Sequence, residues 1–175
     1  GKGPGVDRCG DVFKHANAAG SAPYGGVLCV AGDDHGAKSS TVPHQSDHAF
    51  MSSTMPVLYP SSIHEYIWMG LAGLAMSRYS GCWVGFKVIS ETVETTAAVN
   101  LQDEDVEFII PKDFDIPQDG LNLRWPDDRM VQDSRLQNHK AYAALAFARA
   151  NGFNRITLDS PKARFGIVAS GKSYE

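Results

Sequence analysis

Gly32-Asp33-Asp34-His35, followed by Ser39-Ser40 and His44-Gln45, gathers side chains that could polarise a carbonyl, relay a proton or hold a cation. The run before it, Gly26-Val-Leu-Cys-Val-Ala31, is apolar and β-favouring. That pattern predicts a buried parallel strand over 26–31 that delivers polar groups to a crevice at its C-terminal end. Asp33, Asp34 and His35 are therefore the candidate catalytic residues. Strand-end aspartates also cap nearby backbone N–H groups, and both roles stand open for these two.

Other chemistries have weaker support. His35, His44 and His48 with Asp33, Asp34 and Asp47 raise a metal reading, because His44 and His48 are four apart and would share one face of a helix. Zinc needs a complete ligand set with supporting partners, so no metal site is assigned. No Gly-x-Ser-x-Gly elbow surrounds Ser39 or Ser40, which argues against a serine nucleophile. Gly166 to Ser173 fits G-x-x-x-x-G-K-S formally, but a phosphate loop needs a strand before its first glycine, and here 166–170 reads as the strand itself. Gly1-Lys-Gly-Pro-Gly-Val-Asp-Arg8 places glycines and a proline where backbone can approach a ligand closely, or where the chain simply turns.

The elements that must position these groups follow from spacing. Residues 1–10 read as a Gly/Pro-rich loop and 11–20 as a short helix. Met55-Pro-Val-Leu-Tyr-Pro60 allows only a brief strand between its prolines. Ser62 and Glu65 form a capping-box pair, Ile63, Ile67, Leu71, Leu74 and Arg78 recur at helical spacing, and Gly81 supplies a left-handed stop, so 62–80 is helical. Trp68, Met69, Met76, Trp83 and Phe86 are read as packing residues. Cys82-Trp-Val-Gly-Phe-Lys-Val-Ile89 is again β-favouring. Strands 26–31, 56–59 and 82–89 should lie in one mainly parallel α/β sheet with flanking helices, helix 62–80 on one face. An acidic, proline-containing connector spans 101–132, and 133–175 holds a helix, 134–150, and a strand at 164–170 that leads into a further domain.

Composition sets bounds. The chain has 175 residues, is 43% hydrophobic, and carries 16 basic against 20 acidic side chains for a net charge of -4. That is enough apolar material for one core, with no basic cluster suited to nucleic acid. The longest apolar run, 67–76, is too short to span a membrane. Cys9, Cys29 and Cys82 are odd in number and lack metal-ligand spacing, which fits a reducing, cytoplasmic setting.

The motifs at 1–8, 32–35, 39–40 and 44–46, with Ser80-Gly-Cys-Trp-Val-Gly-Phe-Lys87 and Glu91-Thr-Val-Glu94, resemble in order those of the indolepyruvate ferredoxin oxidoreductases, thiamine-dependent 2-oxoacid:ferredoxin oxidoreductases. The likeness covers roughly the first hundred positions and resumes more loosely in the last fifty. It implies that 1–100 is the C-terminal portion of a pyrimidine-binding domain, with Gly3, Pro4, Gly5 and Arg8 near the cofactor and Arg8 or His35 near the substrate carboxylate. It further implies oxidative decarboxylation of a 2-oxoacid to acyl-CoA. Thiamine diphosphate with magnesium and iron–sulfur clusters would sit in the full-length enzyme, and ferredoxin, coenzyme A and the remaining domains of the polypeptide would be its partners. Cofactors carry that chemistry, so 1–175 alone should be inactive, should bind none of them tightly, and should self-associate through uncovered apolar surface. A non-catalytic α/β binding module and, less strongly, a small metal-dependent hydrolase are the alternatives.

Overall fold

The fold is that of a computed structural model, in which residues 1–100 and 106–175 are described. Three strands, β1 (Leu28–Asp33), β2 (Val57–Leu58) and β3 (Val84–Ile89), form an all-parallel sheet in the order β1-β3-β2. The chain thus moves from one edge to the other and then back to the centre. A constant right-handed crossover requires the two connections to pass over opposite faces, and the packing agrees.

Strand alternation separates two cores. Leu28, Leu58, Val84, Phe86 and Val88 turn to one face, against Met76 of α4 (Ile63–Ser80) and Ala144 and Phe147 of α7 (Ala141–Ala150). Cys29, Ala31 and Val57 turn to the other, against Val6 of α1 (Gly3–Asp7), Phe13 of α2 (Gly10–Ala19) and Phe50 of α3 (Asp47–Met51). The expected α/β sheet with flanking helices is therefore present. Both long strands begin two residues later than sequence patterning suggests, and β1 runs on through Gly32 and Asp33 because these pair with Val88 and Ile89. Ladder hydrogen bonds here outweigh the poor strand preference of glycine and aspartate.

Local signals at α4 hold in part. Gly81 closes the helix at φ 73°, while Ser62 makes no side-chain capping bond. The Glu65 carboxylate accepts instead from the Ser61 N–H at 2.7 Å, one residue before the cap. Residues 1–10 are not a plain loop: Pro4 occupies a first-turn position, where its missing N–H costs nothing, and Gly3–Asp7 is a helical turn. α5 (Ser90–Val93) follows β3 directly.

The connector assigned to 101–132 falls partly outside the described residues, at 101–105; from 106 to 128 the chain forms no helix or strand. The next helix begins at Arg129, earlier than expected, because the Asp128 carboxylate accepts from the N–H groups of Met130 and Val131. It runs as α6 (Arg129–Arg135), one π-turn (Leu136–Lys140) and α7, and α7 lies against α4 within the first core. Residues 164–170 are exposed and pair with no strand, which corrects the strand expected there; with no ladder partner, β propensity alone builds nothing. A short 3-10 turn, Gly171–Tyr174, ends the chain. No helix among the described residues is long and apolar enough to cross a membrane.

Two buried polar residues tie the halves together. Asn17 donates to the carbonyls of Ser53 at 2.8 Å and Thr54 at 3.0 Å and accepts from the Trp83 N–H at 2.9 Å, joining α2, the loop after α3 and the start of β3. Lys140, aimed inward from the π-turn, donates to the carbonyls of Asn17 at 3.2 Å and Ala18 at 2.8 Å, at the negative end of α2. Burial pulls its ammonium down to about 8. The unfolded chain, titrating near 10.5, then binds more protons between those values, so stability rises with pH across that window. The half-buried thiol of Cys29 and the buried thiol of Cys82, pushed up to about 11, act in the opposite sense above their ordinary 9.0. Between pH 8 and 9 the lysine acts alone among these groups. Denaturant unfolding at pH 7.5 and pH 9 should show the parent gaining about 1 kcal/mol and Lys140→Met gaining none. Equal gains in the two proteins would contradict this account.

Candidate functional site

Strand periodicity builds the site. Cys29, Ala31 and Asp33 of β1 share a sheet face with Gly85, Lys87 and Ile89 of β3, and Ala31 pairs with Lys87. Asp33 is consequently the diagonal neighbour of Lys87, close enough for charged groups to meet. Tyr59, just past β2, is in line with Lys87 on the far side, because Val57 pairs with Gly85. All three lie in the C-terminal halves of the strands or just beyond, toward the edge where open parallel sheets bind ligands.

The side chains converge. Lys87 Nζ lies 2.7 Å from Asp47 Oδ2, 3.5 Å from Asp33 Oδ2 and 4.5 Å from the centre of the Tyr59 ring. The Asp33 carboxylate is fully buried and accepts from the Ser46 N–H at 2.8 Å and the Ser46 hydroxyl at 2.6 Å. Around it stand two imidazoles: His35 Nε2 at 3.9 Å and His44 Nδ1 at 4.0 Å. His44 Nε2 reaches Asp7 at 3.2 Å, while its buried Nδ1 has no hydrogen-bond partner.

Each sequence-nominated residue now has a place. Asp33 is the buried anchor of the cluster, and His35, its side chain 41% exposed, is the member open to a ligand. Asp34 faces away and organises its own loop. It accepts from the N–H groups of Ser39 at 2.9 Å and Lys38 at 2.8 Å and pairs with Lys2 at 3.4 Å. These bonds, that to Ser39 foremost, hold its carboxyl well below the usual range. Capping, one of its two open roles, is what the geometry displays. Gly3 is packed against His44, and a Cβ there would overlap the imidazole. Pro4, Gly5 and Arg8 are exposed.

The metal alternative loses its geometric premise. His44 precedes α3 and bridges to Asp34, so it shares no helix face with His48, which lies within α3. Among the described residues no group of three or more His, Cys, Asp and Glu side chains is arranged to hold a metal ion. The residue that sequence reading passed over is Lys87, although the signal was present: one charged side chain inside an apolar strand, 4% exposed once folded. No protein-family model, curated protein or solved structure matches the chain.

The arrangement separates stability from availability. Asp33→Ala would leave Lys87 beside Asp47 only and strip the Ser46 donors of their acceptor. It should cost about 3 kcal/mol, as breaking a buried ion pair does. Gly3→Ala, which drives a methyl into His44, should cost about 1 to 3 kcal/mol. His35→Ala removes an exposed ring and should stay within about 0.5 kcal/mol of the parent. Urea unfolding of the three variants checks this order, and an Asp33→Ala protein as stable as His35→Ala would contradict the buried-anchor role.

Proposed function

We propose that this chain is part of a thiamine-dependent oxidoreductase that decarboxylates aryl 2-oxoacids such as indolepyruvate, transferring the acyl group to coenzyme A and the electrons to ferredoxin. Supporting this reading is one observation above all. The segment carrying the family-like motif Gly32 to His35 ends, with Lys87, in a compact cluster of one ammonium, carboxylates and imidazoles at the C-terminal edge of a parallel sheet.

Within that reading the residues take distinct roles. Asp33 and Ser46 fix the strand end, and His35 presents a half-exposed imidazole beside it, where it would donate to an incoming acid or take a proton from it. Pro4, Gly5 and Arg8 are the exposed members of the glycine-proline turn and would face the thiamine; Gly3 would not, since its face is filled by His44. Thiamine diphosphate, when bound, supplies the carbanion that the side chains of this chain do not. The diphosphate- and magnesium-binding domain and the clusters belong to the rest of the polypeptide in this reading. Exposed apolar side chains at Ile156, Leu158, Phe165, Ile167 and Val168 suit a surface that such domains, or a second copy, would cover.

The test is turnover by the full-length polypeptide with thiamine diphosphate, magnesium, coenzyme A and phenylpyruvate, read as reduction of a viologen dye. The parent should reduce the dye only when the 2-oxoacid is present, and His35→Ala should lose at least tenfold in turnover at unchanged stability. No 2-oxoacid-dependent reduction by the parent would overturn the reading. Residues 1–175 alone should hold thiamine diphosphate with a dissociation constant on the order of millimolar or weaker. The second reading, a non-catalytic binding module, is favoured by the commitment of Asp33 and Asp34 to internal hydrogen bonds. It would gain if His35→Ala left turnover intact.

A further inference from the structure

We infer that Lys87 is the receptor for the carboxylate of an acidic ligand, and that Asp47 occupies that receptor as an internal stand-in until the ligand displaces it. The inference rests on the 2-oxoacid reading for the identity of the ligand.

The two carboxylates on Lys87 are not equivalent. Asp33 is fully buried, is held by two bonds from Ser46, and sits 3.5 Å from the ammonium. Asp47 makes the shorter contact, 2.7 Å, yet its side chain is 46% exposed and it opens the short helix α3. Only the second partner can leave at modest cost, because water resolvates it as it goes, whereas an unpaired Asp33 would remain in a dry interior. A lysine side chain 5% exposed, with one fixed and one releasable carboxylate, is arranged for exchange of one anion for another. Exchange leaves the charge of the cluster unchanged, so an acid enters without adding to the negative charge of Asp33.

Neighbouring groups shape what enters. The Tyr59 ring covers the ammonium on another side, and the backbone of Gly171 packs on that ring, which leaves the Asp47 side as the approach. His35, exposed and 3.9 Å from Asp33, flanks the buried carboxylate that Lys87 also meets. The site therefore offers one ammonium to the carboxylate of an incoming acid.

The experiment measures binding by calorimetry to the full-length polypeptide, with phenylacetate as the unreactive acid and phenylacetamide as its neutral counterpart. Phenylacetate affinity should fall at least tenfold in Lys87→Met and rise at least threefold in Asp47→Asn, where the competitor is gone, while phenylacetamide changes less than twofold in either. Asp47→Asn alters a half-exposed side chain and decides the matter even if Lys87→Met fails to fold. The inference is overturned if phenylacetate does not bind the parent, if Asp47→Asn leaves its affinity unchanged, or if acid and amide respond alike. Dye reduction with phenylpyruvate separates the two ideas. Turnover with an acid affinity indifferent to Asp47 sinks the receptor and spares the enzyme. Acid affinity that follows both variants without turnover sinks the enzyme and keeps the receptor.

Discussion

A lysine inside a sheet must be compensated where it stands, and much of the strand-end architecture answers that requirement. Lys87 is on the central strand, where a bare ammonium would cost several kcal/mol even after relaxation. Asp33 supplies the opposite charge from the neighbouring strand, but a buried carboxylate brings its own demand for donors. Ser46 meets it with backbone and hydroxyl together, which fixes the loop between β1 and α3 and with it the position of Asp47. A single charge in β3 thus sets the path of a loop more than forty positions away. With Asp33 so committed, Asp34 beside it in sequence holds the same loop from outside, through Lys38, Ser39 and Lys2.

The opposite side of the molecule depends on a different kind of compensation. Asn17 and Lys140 are buried polar side chains whose partners are mainly backbone groups at element ends. Thr54, with φ 56°, stands in a conformation that a β-branched residue rarely adopts, and Asn17 bonds its carbonyl there. The π-turn at 136–140 has the same logic. One wider turn rotates Lys140 inward to the C-terminal carbonyls of α2, where a positive charge is favoured.

Legibility in the sequence followed the range of the interactions involved. Helix Ile63–Ser80 could be read from Ser62, its apolar spacing and Gly81, all local, and the parallel sheet from the order of apolar runs. The last two residues of β1 could not, since Gly32 and Asp33 are strand residues only through pairing with Val88 and Ile89. The helical turn at Gly3–Asp7 is masked by glycines and a proline that ordinarily mark loops, and the start of α6 by an alanine-rich run that lies farther along, in α7, whereas the helix is opened by the single Asp128 cap. At 164–170 the composition favours a strand, yet a strand exists only with a neighbour. In the site, Asp33 and His35 were visible as a strand end. Lys87 was not, and Asp47 stood only as a possible metal ligand, because the meaning of both arises from contacts between segments forty residues apart.

Burial also decides which members of the cluster are available for chemistry. A buried group that holds a loop and neutralises a lysine has little capacity left to meet a ligand, and Asp33 does both. Availability passes outward, to His35 on one side and to the Lys87–Asp47 contact on the other. His44 completes this gradient. Its ring is wedged against Gly3, one nitrogen reaching the exposed Asp7 and the other facing the buried Asp33 without a partner, so it spans the distance from solvent to the anchor. The cluster is therefore ordered by depth, with a fixed carboxylate at its base, an ammonium above it, and half-exposed groups, His35 and Asp47, at the surface. That order suits a site whose interior is preorganised before any ligand arrives, because the polar groups that would otherwise have to reorganise are already bonded.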